Sequence, residues 1–242
     1  MALIDKCLAY YMLEEADTVD KVDSMGLAVD LMESGTPDSG AGFFNNGTEL
    51  GGYGGSSADS TLLTDTELEY FDLRGVARSY SCWFYADTVA NSPGIISNWA
   101  NPGGDVIFLL YYDGSNLNFS IKRDAGDGGD VKSVTAALPG TDQWVFVVCG
   151  RDNVSGNMFL SVNGGAYATL ACSSVWDGTS RLALGSRNNG SANLNGIIDC
   201  FGMWEGQLSD DEVDLLYNGG AGLEYPFPEG TADGAPLFLA GI

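Results

Sequence analysis

The sequence predicts an all-β fold, a sandwich or barrel of short antiparallel strands with one short helix near its C-terminal end. Three observations lead there. Short runs alternate apolar and polar residues at period two, the spacing of a half-buried strand. Glycine, asparagine and aspartate break these runs at close intervals, and the chain carries 34 glycines and 7 prolines. Hydrophobic residues fill 45% of the 242 positions and aromatics 11%, enough to build a packed core.

Along the chain, Cys7 to Leu13 and Gly42 to Phe44 are the strand candidates of the first 78 residues. Gly51-Gly52-Tyr53-Gly54-Gly55-Ser56-Ser57 reads as a loop and lacks the Lys-Ser/Thr ending of a phosphate-binding loop. From Ser79 to Ala86, Tyr80, Cys82 and Phe84 alternate with Ser81, Trp83 and Tyr85. Asp105 to Tyr112 is a continuous buried-type run, and Asn116 to Lys122 sets Leu117, Phe119 and Ile121 at period two, with Asp113-Gly114 as the turn between them. Val131 to Leu138, Trp144 to Cys149 and Met158 to Val162 continue the series. Asn163-Gly164 marks a tight hairpin returning through Ala166 to Cys172, and Arg181 to Leu184 and Ile197 to Trp204 follow.

The helix is set by its start. Ser209-Asp210-Asp211-Glu212 forms a capping box, in which the Ser209 hydroxyl takes the Glu212 amide and the Glu212 carboxylate takes the Ser209 amide. Leu208 and Val213 flank it as a hydrophobic staple, and Asn218-Gly219-Gly220 stops it.

Ten basic against 33 acidic side chains leave a formal charge of −23, a field that repels nucleic acid and anionic lipid. The acids are spread over loops, which reads as a solvated, self-repelling surface. Asp5 and Lys6 interrupt the apolar start, so no signal peptide is expected, and Val106 to Tyr112 is far shorter than the ~20 residues of a membrane helix. Cys7, Cys82, Cys149, Cys172 and Cys200 are odd in number, widely spaced and without a C-x-x-C pair; they read as buried free thiols made in a reducing compartment. The sequence has no histidine, which excludes Ser-His-Asp and Cys-His catalysis and histidine-based zinc sites.

Gly196-Ile197-Ile198-Asp199, Met203-Trp204, Leu208-Ser209 with Glu212, and Leu216-Tyr217-Asn218-Gly219-Gly220-Ala221-Gly222 together resemble the closing strand, helix and exit turn of the laminin-G-like branch of the concanavalin A-like lectin and glucanase superfamily. Ser81 to Phe84 around Trp83, Ile95-Ile96-Ser97, Gln143-Trp144-Val145, Val162-Asn163-Gly164 and Leu184-Gly185 support it. The resemblance spans roughly residues 79 to 222, and Leu8-Ala9-Tyr10-Tyr11 resembles the family's opening. It implies a two-sheet antiparallel jelly-roll sandwich over residues 1–225, followed by a proline-bearing arm at 226–242 whose apolar end needs covering by its own sandwich or by a neighbouring subunit. Val145 stands where many relatives carry histidine.

Function is less sharply marked. The glucanase members carry Glu-x-Asp-x-x-Glu on one strand; Glu15-Ala16-Asp17-Thr18-Val19-Asp20 and Glu67-Leu68-Glu69 both depart from it, so no catalytic residues are assigned. Some relatives bind calcium through loop acids, which would fall here to Asp124, Asp127 and Asp130; the plain reading of that loop is a solvated turn, and no cofactor is required. For a glycan, the candidate rim residues are Trp99 with Asn98, Asn101 and Asp105, and Trp176 with Asp177, expected in loops. Laminin-G-like domains in phage structural proteins suggest a non-enzymatic virion protein, a capsid decoration or tail-associated module made in the host cytoplasm. Its partners would be other virion proteins, its own copies or surface glycans, with neither nucleic acid nor membrane. A carbohydrate-binding lectin module of a bacterial surface or polysaccharide-active system is the alternative, and a standalone glucanase the weakest reading.

Overall fold

The computed structural model describes residues 2–16, 19–26, 30–35, 37–50, 61–64, 73–88, 92–99, 106–177, 181–187 and 192–228. A short helix α1 (Leu3–Lys6) leads into β1 (Cys7–Tyr11), followed by β2 (Leu31–Ser34), β3 (Asp38–Ala41), β4 (Asn46–Leu50) and β5 (Thr61–Thr64). The longer strands are β6 (Arg78–Ala86), β7 (Gly94–Trp99), β8 (Val106–Tyr112), β9 (Asn116–Lys122), β10 (Val131–Ala137), β11 (Trp144–Asp152) and β12 (Asn157–Val162). β13 (Ala168–Ala171), β14 (Leu182–Leu184), β15 (Gly196–Glu205) and helix α2 (Asp210–Tyr217) complete the order. Apart from β7, which the sequence did not mark as a strand, the strands from β6 onward lie within a few residues of their expected places.

They form two antiparallel sheets. The first runs β13-β12-β11-β6-β15-β4-β3, with β1 also paired to β15; the second runs β10-β9-β8-β7-β14-β5-β2. Between them lies one core, into which β6 sends Tyr80, Cys82 and Phe84, β9 sends Leu117, Phe119 and Ile121, and β11 sends Val145, Val147 and Cys149. The period-two alternation in these strands is the pleat itself, successive side chains facing opposite ways. This is the two-sheet sandwich of a concanavalin A-like jelly roll, with the expected C-terminal helix.

The first sheet is buried on its outer face too. Trp83, Phe146, Val148, Cys200 and Trp204 project there, beneath Leu3, Leu208, Val213, Leu216 and Phe227 from α1, α2 and the chain's exit. Burial on both faces explains why Trp144 to Cys149 reads as an unbroken apolar run. The capping box forms as expected: Ser209 Oγ accepts the Glu212 amide at 3.3 Å, and the Ser209 amide donates to Glu212 Oε2 at 2.7 Å. The same carboxylate pairs with Lys6 Nζ at 2.6 Å, tying α2 to α1. Phe227, the second residue of the expected arm, is buried edge-on against Tyr10, ring centroids 4.9 Å apart. Residues 229–242 lie outside the described residues, as does the Gly51 to Ser57 loop.

Gly42 to Phe44 is corrected from a strand to the turn joining β3 to β4. Its aromatics have a packing role instead, because Phe43 stacks on Trp83 at 3.7 Å between centroids. Asp199 holds this turn from below: its Oδ2 accepts the amides of Phe43 at 2.8 Å and Phe44 at 3.0 Å. It sits at a bulge in β15, where Cys200 takes a positive φ of 53° and the outer partner changes from β4 to β1. The side chain is fully buried, and that burial pushes its carboxyl up to about 7, against the pull of the amides.

Candidate functional site

The site is built where β11 ends. Val147, Val148 and Cys149 are buried in sequence, and Gly150 lets the strand close on β6, since a Cβ there would collide with the Arg78 carbonyl. The next residue, Arg151, is 3% exposed. Its guanidinium reaches the segment 172–177 that carries the chain from the first sheet to the second. Nε donates to the Cys172 carbonyl at 3.0 Å, Nη2 to the Ser173 carbonyl at 3.0 Å, and Nη1 to Asn153 Oδ1 at 3.1 Å.

Around it opens a cavity of about 310 Å³ lined by Arg74, Gly75, Asp124, Arg151, Asn153, Ser173, Ser174, Val175 and Asp177. Its walls are tied across the chain: Arg74 pairs with Asp177, Asn153 Nδ2 donates to the Gly75 carbonyl at 3.1 Å, and the Asp177 amide donates to Asp124 Oδ1 at 3.0 Å. The Asp124 amide in turn donates to Ser174 Oγ at 3.2 Å. Donors and acceptors from four separate segments of the chain converge on one hollow, the arrangement a polar ligand requires. A second hollow of about 470 Å³ lies at the same end of the first sheet, between Leu8, Val76, Ala77, Arg78, Glu205 and Gly206. It is the larger, but it brings together fewer polar groups.

The expected site residues separate in space. Trp176 borders the cavity segment, its amide donating to the Lys122 carbonyl at 2.8 Å. Its ring packs partly against the core, and Lys122 Nζ lies 4.6 Å from the ring centroid. One face of this indole is therefore already taken by a cation. Trp99 is corrected from a loop to the last residue of β7, where it pairs with Val106. Asn98, beside it, is a strand residue with its side-chain amide buried and, among the described residues, without a hydrogen-bond partner. Asn101 and Asp105 lie outside the described residues.

Of the three loop acids only Asp124 lines the cavity. Asp127 accepts the Ser173 hydroxyl at 3.2 Å, and the hydroxyls of Ser174 and Ser173 hold its carboxyl below the usual range. Asp130 is paired with Arg123 at 2.6 Å and Lys132 at 3.0 Å, which hold its carboxyl down to about 2. Each acid has its own partner, and among the described residues no group of three or more histidine, cysteine, aspartate or glutamate side chains is placed to hold a metal ion. Arg74 and Arg151 went unread in the sequence. The available signal was a lone charge closing the apolar run Val147 to Gly150.

Two packed sheets with a polar hollow at the end of the sandwich define a lectin-like binding fold. A laminin-G-type family model, described as the Concanavalin A-like lectin/glucanases superfamily, matches residues 51–214, and the chain belongs to that superfamily. A search of curated proteins finds no match. Among solved structures, the binding domain of Paraclostridial Mosquitocidal Protein 1 is similar at a TM-score of 0.70 and 15% identity, over 90% of this chain and 53% of that one. The binding domain of botulinum neurotoxin DC in complex with SialylT gives 0.68 and 19%, over 90% and 52%. Domain 4 of an extracellular arabinanase from Geobacillus stearothermophilus, in complex with arabinotriose, gives 0.63 and 17%, over 90% and 98%. The chain thus spans about half the length of the toxin binding domains it matches. At these identities the likeness is one of fold.

Proposed function

We propose that this chain is a non-enzymatic recognition module that binds a surface glycan in the Arg74–Arg151 cavity. One observation carries the reading: the two carboxylates that line the cavity already serve its walls, Asp177 against Arg74 and Asp124 against the Asp177 amide. Glycoside hydrolysis needs one acid kept protonated and a second ready as nucleophile or base. The binding domains it resembles in fold, one solved with arabinotriose, support recognition over turnover. The setting proposed is a virion, where the module would decorate a capsid or tail and meet glycans on the host surface; five buried thiols without a disulfide fit synthesis in a reducing cytoplasm.

A second reading, a lectin module of a polysaccharide-active system, draws on the likeness to Domain 4, of which this chain covers 98%. The test is a glycan array followed by incubation of each hit with the protein. Binding with no release of reducing sugar is expected; turnover lost on mutating a single acid would overturn the non-enzymatic assignment. Detection of the protein in purified particles, against its recovery with a polysaccharide-degrading complex, decides between the two settings.

A further inference from the structure

One flank of the sandwich stands apart in charge. Asn153 to Trp176, which carry β12 and β13, contain no aspartate, glutamate, lysine or arginine, although the chain holds 33 acids. Val131 to Thr141, which carry β10, hold one charge, Lys132, whose ammonium turns back to Asp130 at 3.0 Å. β13 ends the first sheet and β10 ends the second, and the two lie against each other at the same side of the molecule. Leu170 of β13, 38% exposed, and Val131 of β10, 54% exposed, add apolar surface there. Long, uncharged strand edges are templates for pairing with another chain, and folded proteins blunt them with charge, proline, bulges or short length. The edge strand β3 is four residues long and carries Asp38 and Gly40. The edge strand β2 is also four residues long, carries Glu33 and has the Lys21–Leu31 bridge beside it. β10 runs seven residues without proline or glycine, in unbroken register with β9, and Val131, Ser133, Thr135 and Ala137 on its outer face are all exposed. Its free main-chain groups follow from the ladder. The Arg123 amide donates to the Asp130 carbonyl at 2.9 Å and the Leu138 amide to the Ser115 carbonyl at 3.1 Å, so by antiparallel alternation the even-numbered residues of β10 bond to β9. The N–H and C=O groups of Val131, Ser133, Thr135 and Ala137 point the other way, where among the described residues no further strand pairs.

From this we infer that β10 is a self-association edge, pairing antiparallel with β10 of a second copy about a two-fold axis at Val134 and joining the two second sheets into one. The strand itself sets that register. It overlaps all seven residues and places odd-numbered residues opposite odd-numbered ones, so that their free N–H and C=O groups meet. Val131 then faces the partner's Ala137, and Ser133 faces the partner's Thr135. Lys132 falls opposite the partner's Ala136 instead of its own twin, so no like charges are set against each other. Charge also selects a second copy as the occupant. Two molecules of charge −23 repel over most of their surface, and this acid-free flank is where they approach with least opposition. A two-fold contact needs one surface that complements itself, as an edge strand does when it meets its own copy antiparallel. Pairing at β10 does not depend on what the cavity binds.

The test uses the full chain with no ligand. Sedimentation over a range of protein concentrations is expected to show a monomer–dimer equilibrium that tightens with added salt, because salt screens the repulsion between two acidic molecules. Hydrogen exchange followed by NMR on the same samples should show the amides of Ser133 and Thr135 gaining protection as the dimer forms. Those of Val134 and Ala136, already bonded to β9, should stay as they are. Thr135→Glu sets two carboxylates beside the axis at an exposed position. It should raise the dimer dissociation constant at least tenfold and leave the melting temperature nearly unchanged. Should that variant fail to fold, the exchange pattern of the native protein decides alone. A chain that stays monomeric at every concentration, or a dimer in which the Ser133 and Thr135 amides remain open, would overturn the pairing. So would a dimer that Thr135→Glu leaves intact.

Discussion

The first sheet carries two buried ionisable groups in contrasting surroundings. Asp199 lies under the outer aromatic layer, where two backbone amides meet one of its oxygens and Cys200 Sγ approaches the other at 3.4 Å. Arg151 lies at the sheet's end, its guanidinium held by two carbonyls and an amide oxygen, and lines a hollow. The sealed group is closed over by its own chain and the open one is not. A polar group sealed under its own chain stabilises the fold, whereas one that lines a hollow is also placed where something else can bind.

The comparison breaks most visibly if the aromatic layer is not what stabilises the fold. Trp204→Ala removes a fully buried indole and leaves Ser81 Oγ without the Nε1 donor now 2.9 Å away. A loss of about 3–5 kcal/mol is expected, read by chemical denaturation. Glycan binding at the cavity should survive in the folded fraction.

Asp199 gives the next effect, on the order of 2–4 kcal/mol and dependent on pH. Its carboxyl is pushed up to about 7 by burial, so the folded state holds its proton more tightly than the unfolded chain does, where the carboxyl titrates near 3.9. This contribution is fully present below about pH 4 and is lost as pH rises through about 7. Stability measured from pH 4 to 8 should therefore fall more steeply in the native protein than in Asp199→Asn. Parallel profiles would show that the carboxylate is as well accommodated as the acid.

Ser209→Ala should cost about 1 kcal/mol through the lost cap, with no change in binding, since α2 belongs to the sealed layer. The smallest stability change, under about 1 kcal/mol, is expected for Arg74→Ala, whose ion pair with Asp177 is exposed at the cavity rim. That variant should change ligand affinity well beyond what its melting temperature suggests. If both move together, the rim is structural.

These contrasts also explain what the sequence made legible. Strands such as β6 and β9 announce themselves because the core demands apolar residues at alternate positions. β3 and β4 do not: they pair through Gly40 opposite Gly47 and Ser39 opposite Thr48, held by backbone hydrogen bonds that leave little side-chain pattern. The amides that Asp199 holds come from a turn more than 150 residues away, a pairing that no local pattern marks. The cavity was the least visible part. Arg74, Asp124 and Asp177 belong to three separate loops and Arg151 to the end of β11, and only the folding of the chain brings them together.

The place of β15 has a consequence for how the molecule is made. Among the described residues this strand is the last in chain order, yet it lies inside the first sheet, with β6 along one edge and β4 and β1 sharing the other. Until Gly196–Glu205 has left the ribosome, β1 and the β3-β4 hairpin have nothing to pair with, and the sheet exists only as the β6-β11-β12-β13 half. Such long-range closure belongs to slow-folding topologies. Nascent chains stalled before this strand should remain open to proteases and chaperones, and protection should arrive abruptly as it emerges.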